Sequence, residues 1–299
     1  MKVVLAGAFG KLGSDILVSL CKKGYEVVAA DMVEKAVPGT EGKYSFVKID
    51  ATKPETLKGL CQGADVVITT MGLTGASTKV TNYDIDYQGN LNLLEEAKAS
   101  KSGDGKGPHF VYISVIKADS DPNVPMIHAK ALFEEKLKES GLTYLIFRPT
   151  GYFYDIAKVF WPMVTDGKVN LLGKKNYSCN VVDCPDFADF IVSHMMDKNK
   201  TYSVGGKETY TYEEIAKMFF QAAGNPPVIK RAPVFLFDLL AKAAKRKKNG
   251  KEAVIRFSKW TLTHDLVGDT IIPGKSFKEY IAGKSYLAIM NEQRLGESK

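Results

Sequence analysis

Long apolar runs, paired cysteines and clustered histidines are all missing from this 299-residue chain, and each absence removes a class of protein. No stretch of about 18 apolar residues occurs, so we expect no membrane-spanning helix. Cysteine is scarce, at Cys21, Cys61, Cys179 and Cys184, and the interval between the last two is not a zinc spacing. His109, His128, His194 and His264 are scattered and accompany no carboxylate motif, so no metal site is expected. The opening MKVVLAGAFG lacks the apolar core and cleavage site of a secretory signal. The reading is a reduced, cytoplasmic protein. Helix-turn-helix, zinc-finger and RNP motifs are absent too, which argues against nucleic acid.

The chain has ordinary proportions of hydrophobic (45%) and charged (25%) residues, which excludes disorder, collagen and coiled coil. Its length suits one large α/β unit or two lobes. The net charge is +7, but much of the excess sits at residues 242–251, KAAKRKKNGK. A basic field over the whole protein is therefore not implied.

The first thirty residues carry the strongest signal. Val3, Val4 and Leu5 read as a strand buried on both faces. GAFGKLG follows at residues 7–13, then a helical pattern through Leu17 and Leu20 that Lys22, Lys23 and Gly24 close. A second strand, residues 26–30, ends at Asp31. In such a unit Gly7 permits the turn, Gly10 admits a diphosphate and Gly13 allows close helix–strand contact. The helix start, with Phe9, Lys11 and Leu12, offers amides to phosphate. A carboxylate at Asp31 accepts hydrogen bonds from ribose hydroxyls and repels a 2′-phosphate, which favours NAD over NADP; Lys11 and Lys35 are nearby cations of the opposite tendency.

The alternation continues. Strands are expected at residues 46–50, 64–69, 110–114 and 142–149, with helices from residue 51, from 84 and over 129–140. This pattern implies β-α-β crossovers and a doubly wound, Rossmann-like parallel sheet. Gly7, Asp31, Asp50, Thr70, Ser114 and Pro149 fall at strand ends, where such sheets bind ligands. We expect a dinucleotide-binding core over residues 1–150, with 177–206 returning to it. An interleaved substrate lobe would comprise 151–176 and 207–299, and residues 170–177 read as a hairpin or loop within it.

The motifs resemble those of the atypical or extended short-chain dehydrogenase/reductases, in the branch of isoflavone-reductase-like, divinyl-reductase-like and NmrA-like proteins. The matching pieces are GAFGKLG (7–13), Asp50, VVITTMG (66–72), DYQGNLNLL (86–94), VYIS (111–114), AKALFEEKLKESGLTYLIFRPTGYF (129–153), NVVDCPDFADFI (180–191) and TYSVGGKETYTYEEIA (201–216). The resemblance implies that Asp50 and Ala51 sit beside the adenine and that Thr70, Met71 and Gly72 line the path to the nicotinamide. It places Ser114 and Lys130 at the catalytic serine and lysine positions, the lysine also holding the nicotinamide ribose. Pro149, Thr150, Tyr152 and Phe153 would close over the nicotinamide. The implied activity is NAD(P)-dependent hydride transfer to or from a small or flat organic substrate, a conjugated alkene or carbonyl.

One departure matters. The family's tyrosine, four residues before the lysine, is Met126 here, and a thioether moves no proton. Lys130 can relay the proton, or Tyr87, Tyr152, Tyr154 or, less well, His128 can replace the tyrosine. Alternatively the domain is catalytically silent, a dinucleotide sensor or scaffold. Finally, VFLFDLL at residues 234–240 followed by the basic run reads as a core helix with a cationic last turn; contact with an anionic membrane is the weaker reading.

Overall fold

The computed structural model describes residues 1–100 and 107–282; residues 283–299 of the expected substrate lobe lie outside them. The strands are β1 (Lys2–Ala6), β2 (Glu26–Asp31), β3 (Tyr44–Lys48), β4 (Val66–Thr69), β5 (His109–Ile113), β6 (Tyr144–Pro149), β7 (Val169–Leu172), β8 (Ser178–Cys179), β9 (Lys200–Gly205), β10 (Tyr210–Thr211), β11 (Ile229–Ala232) and β12 (Thr270–Ile271). The α-helices are α1 (Lys11–Lys22), α2 (Asn90–Ala99), α3 (Pro125–Glu139), α4 (Phe153–Thr165), α5 (Cys184–His194), α6 (Tyr212–Ala222), α7 (Phe235–Lys247), α8 (Glu252–Leu262) and α9 (Phe277–Ala282). A π-helical segment, Tyr83–Gly89, runs directly into α2.

Eight strands form one sheet in the order β12-β9-β6-β5-β4-β1-β2-β3. From β3 to β6 each neighbouring pair is parallel. This is the doubly wound α/β fold expected from the alternation, with its reversal of strand order between β1 and β4. The continuous apolar runs have their cause here, because helices cover both faces. Val4, Ala6, Val67, Phe110, Tyr112 and Ile146 point to Leu93, Leu94, Phe133 and Leu137 of α2 and α3. On the other face, Phe147 meets Phe187 and Phe190 of α5 edge-on.

The chain divides into two compact units. The first is Met1–Arg148 with Phe187–Tyr202; the second is Pro149–Asp186 with the described residues from Ser203 onward. The returning segment is thus shorter than the expected 177–206. Residues 178–186 belong with the second unit because their polar bonds go there: Asn180 Nδ2 donates to the Gly268 carbonyl (3.0 Å), and the Gly268 amide donates back to Asn180 Oδ1 (2.9 Å). In that unit α6 opens with a capping box between Thr211 and Glu214. Phe160 and Trp161 of α4 pack on Phe219 of α6.

Two expectations are corrected. The helix expected from residue 51 is only a 3₁₀ turn, Pro54–Thr56, since Gly59 and Gly63 take φ of 80° and 67° and break any longer helix. Residues 170–177 do not form a hairpin: β7 pairs in parallel with β11, some 60 residues downstream. All four cysteines are buried as thiols. Burial pushes Cys61 and Cys179 up to about 12, so neither is a nucleophile near neutral pH.

Candidate functional site

At the end of β1 the chain turns at Gly7, whose φ of 79° suits glycine. A Cβ there would stand 2.6 Å from Thr70 Oγ1, which donates to the Gly7 carbonyl at 2.9 Å. At Gly13 a Cβ would fall 2.0 Å from the Gly7 carbonyl oxygen, so α1 presses on the turn as closely as its glycine allows. Gly10 is the N-cap and no side chain caps α1. The first-turn amides, at Lys11, Leu12 and Gly13, have no intrahelical acceptor, and the turn carries no acid to compete for them. That is the donor set a diphosphate needs, so these residues fit the group.

The side chains around this mouth differ in what they offer. Phe9 is buried edge-on between Tyr44 and Phe46, and its amide donates to Asp31 Oδ2 at 2.9 Å. Asp31 Oδ1 accepts from the Met32 amide at 2.7 Å. The Asp31 carboxylate is therefore oriented by backbone at the end of β2. Leu12 is buried, whereas Lys11 is half exposed and lies 3.8 Å from Asp15. Asp50 accepts from the Thr52 amide and hydroxyl and pairs with Lys53 at 3.2 Å. The Thr52 hydroxyl bond, with the amide and Lys53, holds Asp50 below the usual carboxylate value. Ala51 is buried, its carbonyl accepting from Asn92 Nδ2 at 2.8 Å.

A second cluster lies between β5 and α3. Lys130 Nζ is 3.3 Å from Asp86 Oδ1 and donates to the Ile113 carbonyl at 3.2 Å. Asp86, on the π-helical segment, has a side chain only 1% exposed; its other oxygen accepts from the Leu73 amide and Asn82 Nδ2. Gly72 has its explanation here, since a Cβ would stand 2.8 Å from Asp86 Oδ1 and 3.4 Å from Lys130 Nζ. Asn90, also fully buried, accepts from Thr69 Oγ1 at 2.7 Å and donates to the Met71 carbonyl at 3.3 Å, holding the strand-four turn.

Ser114 follows β5 directly. Its hydroxyl donates to Glu134 Oε1 at 2.5 Å, and Arg148 grips the same carboxylate through Nε (2.9 Å) and Nη2 (2.7 Å). Glu134 is one turn beyond Lys130, so one face of α3 carries both groups. The Tyr112 phenol is buried between them without a hydrogen-bond partner. Burial, and then the charges of Asp86 and Glu134, hold it well above its usual value, so it stays neutral. Its ring lies 5.3 Å from Lys130 Nζ.

Met126 is buried in the first turn of α3. Two residues on, His128 Nδ1 bonds the Tyr83 hydroxyl at 2.9 Å. Neither Tyr83 nor the counter-ions Asp86, Glu134 and Arg148 was assigned a role from the sequence. The four-residue intervals Asp86–Asn90 and Lys130–Glu134 were the available signal, one helix face each. Residues 149–153 belong to the second unit from Pro149 on. There Thr150 Oγ1 donates to the Asn180 carbonyl at 2.8 Å, Tyr152 stacks on Tyr154, and Phe153 packs on Phe277 and Tyr280. Among the described residues no group of His, Cys, Asp and Glu is placed to hold a metal ion.

The reversal of strand order at β1 and β4, with an uncapped glycine-lined helix start beside it, defines a Rossmann-type dinucleotide-binding protein. The profile of the NAD(P)H-binding family matches residues 7–193, and the chain belongs to that family. The resemblance to atypical short-chain dehydrogenase/reductases is borne out. Photosystem II assembly factor Ycf39 of Trieres chinensis is 26% identical over 245 residues, 81% of this chain and 75% of that protein. The chloroplastic divinyl chlorophyllide a 8-vinyl-reductase of Arabidopsis thaliana is 26% identical over 265 residues, 80% of this chain and 62% of that one. Among solved structures, the Escherichia coli NADPH-dependent quinone oxidoreductase bound to NADPH matches with a TM-score of 0.68 at 16% identity, over 95% of this chain and 99% of that one. At that identity the likeness concerns the fold.

Proposed function

We propose that the protein is an NAD(P)-dependent oxidoreductase that passes hydride between the nicotinamide and a small or flat organic substrate, a conjugated alkene or carbonyl. The observation that carries this reading is the α1 mouth, where Gly13 abuts the Gly7 carbonyl and nothing caps the first-turn amides. The name of the plant reductase, which acts on a vinyl group, supports the substrate class.

The bound nicotinamide supplies the hydride chemistry, while the chain binds, orients and handles the proton. In this reading residues 7–13 hold the diphosphate. Asp31 takes the adenosine ribose and selects NAD over NADP by repelling the 2′-phosphate. Asp50 and Ala51 flank the adenine, and Thr70, Met71 and Gly72 lead to the nicotinamide. Lys130 holds the nicotinamide ribose and relays the proton, with Asp86 fixing its ammonium. Ser114, whose own proton goes to Glu134, positions the end of β5. Pro149, Thr150, Tyr152 and Phe153 keep the part at the nicotinamide end that the resemblance implies. The substrate lobe is drawn from the second unit. Buried thiols suit a reducing compartment.

A second reading, a silent dinucleotide-binding sensor or assembly protein, is favoured by Met126 in place of the tyrosine and by the commitment of the Ser114 proton to Glu134. Fluorescence titration with NADH and NADPH, followed by a panel of quinones and enones, separates the two. We expect NADH to bind about tenfold tighter than NADPH, as one like-charge contact requires. Lys130→Met should retain binding within about tenfold and lose turnover by about a hundredfold or more. Binding without turnover of any panel member supports the silent reading. Indifference to both nucleotides ends both.

A further inference from the structure

We infer that the outer face of α7 is a docking surface for an anionic lipid bilayer, a function independent of the redox reading. The core-helix expectation for this segment is not met. Only Ala241 and Ala244 of α7 are buried, and the α8 side is fixed by an ion pair of 2.7 Å between Asp238 Oδ1 and Lys259 Nζ. On the opposite arc of the helix Phe235, Leu236, Leu239 and Leu240 are 59%, 40%, 54% and 54% exposed. Four large apolar side chains within six residues form a continuous outward ridge, whereas exposed leucines in soluble proteins are usually scattered.

The occupant is indicated by charge. Lys242, Lys245, Arg246 and Lys247 continue the same helix and Lys248 caps it, all exposed and none in an ion pair among the described residues. A second copy laid on this face would bring five more cations to the contact and no counter-charge for them. A bilayer with anionic headgroups satisfies both halves of the helix. Phenylalanine and leucines sink to the headgroup–acyl boundary, while the lysine stems carry their ammonium groups to the phosphates.

The test uses the full chain and extruded vesicles of phosphatidylcholine alone or mixed equally with phosphatidylserine. Co-sedimentation should occur with the anionic vesicles, be weak with phosphatidylcholine, and fall as salt rises. Replacing Lys242, Arg246 and Lys247 together by alanine should reduce partitioning on the order of a hundredfold, from the strength of each basic contact. Leu239→Ser with Leu240→Ser should reduce it about tenfold or more at an unchanged thermal melt. The charge variant keeps the test decisive if the leucine variant fails to fold. Failure of both vesicle types to bind overturns the proposal, as does binding that survives the leucine changes in folded protein. Concentration-dependent self-association without lipid, abolished by the leucine changes, or capture by an acidic protein in place of vesicles, would reassign the face and overturn it as well.

Discussion

The mouth of α1 and the polar network between β5 and α3 solve opposite problems. At the mouth the chain presents glycines, free amides and no acid in the first helical turn. It is built from one local segment, and its electropositive character comes from backbone alone. Across the β5–α3 network the charges are side chains, and each is already matched: Lys130 by Asp86, Arg148 by Glu134. The mouth is poised for an anion from outside, whereas the network has met its own electrostatic demand before any ligand arrives. Lys130 and Ser114 are thereby held in place rather than left free.

The largest effect should come from breaking the network. Glu134 is almost fully buried and serves Arg148, Ser114 and Lys138 at once. Glu134→Leu leaves a mostly buried guanidinium with only the exposed Asp119 carboxylate, 3.7 Å away, and should destabilise the fold by about 3–5 kcal/mol in urea unfolding. Adding Arg148→Met should recover much of that loss, because the cost lies in the orphaned charge. If the double variant is no better than the single one, the pair acts through packing instead. The mouth should respond next: Gly13→Ala sets a methyl against the Gly7 carbonyl and should cost about 1–3 kcal/mol, with a parallel loss of NADH affinity. Stability lost with affinity intact would separate the turn from nucleotide binding.

The same contrast explains how much was legible beforehand. Gly7, Gly10, Gly13 and Asp31 lie within 25 residues, and strand, turn, helix and strand follow each other in sequence, so local pattern sufficed. The parallel sheet was legible for a related reason, because strands covered on both faces read as unbroken apolar runs. Asp86 and Glu134 were not, since a buried carboxylate looks like any other acid until the element opposite is known. Lys130 meets Asp86 across 44 residues of sequence, and Glu134 meets Ser114 across 20. The pairing of β7 with β11 escaped for the same reason, and the α7 face because helical periodicity marks an apolar side without saying what covers it.

The opposite end of β5, away from the network, can also be probed by pH. His109, at the start of β5, bonds the Met195 carbonyl through Nδ1 at 2.9 Å, while its buried Nε2 has no partner. Burial holds its pKa below the usual imidazole value, outweighing the Met195 carbonyl. In the window beneath the ordinary value of about 6.5 the unfolded chain then binds more protons than the folded one, so stability should rise with pH up to that value and fall on acidification. Melting curves from neutral to acid pH should show this slope in the wild type and a flatter one in His109→Asn. Equal slopes would assign the acid sensitivity to other groups.

The smallest predicted effect concerns glycine itself. Gly7 takes its left-handed conformation against Thr70, in the mouth where a side chain has no room. Lys248 takes a similar conformation, φ 49° and ψ 35°, at the exposed end of α7, where glycine is the common choice. A left-handed lysine is strained by about 1–2 kcal/mol, part of which glycine returns as unfolded-state entropy. Lys248→Gly should therefore stabilise the protein by about 0.5 kcal/mol and raise its midpoint by about one degree. It should weaken partitioning onto phosphatidylserine vesicles by about fivefold, the share of one cation. A gain in stability with that loss would mean that the lysine is kept at this turn for its charge, in contrast to Gly7, which is kept for its shape. Unchanged partitioning would leave Lys248 with no role in the docking face.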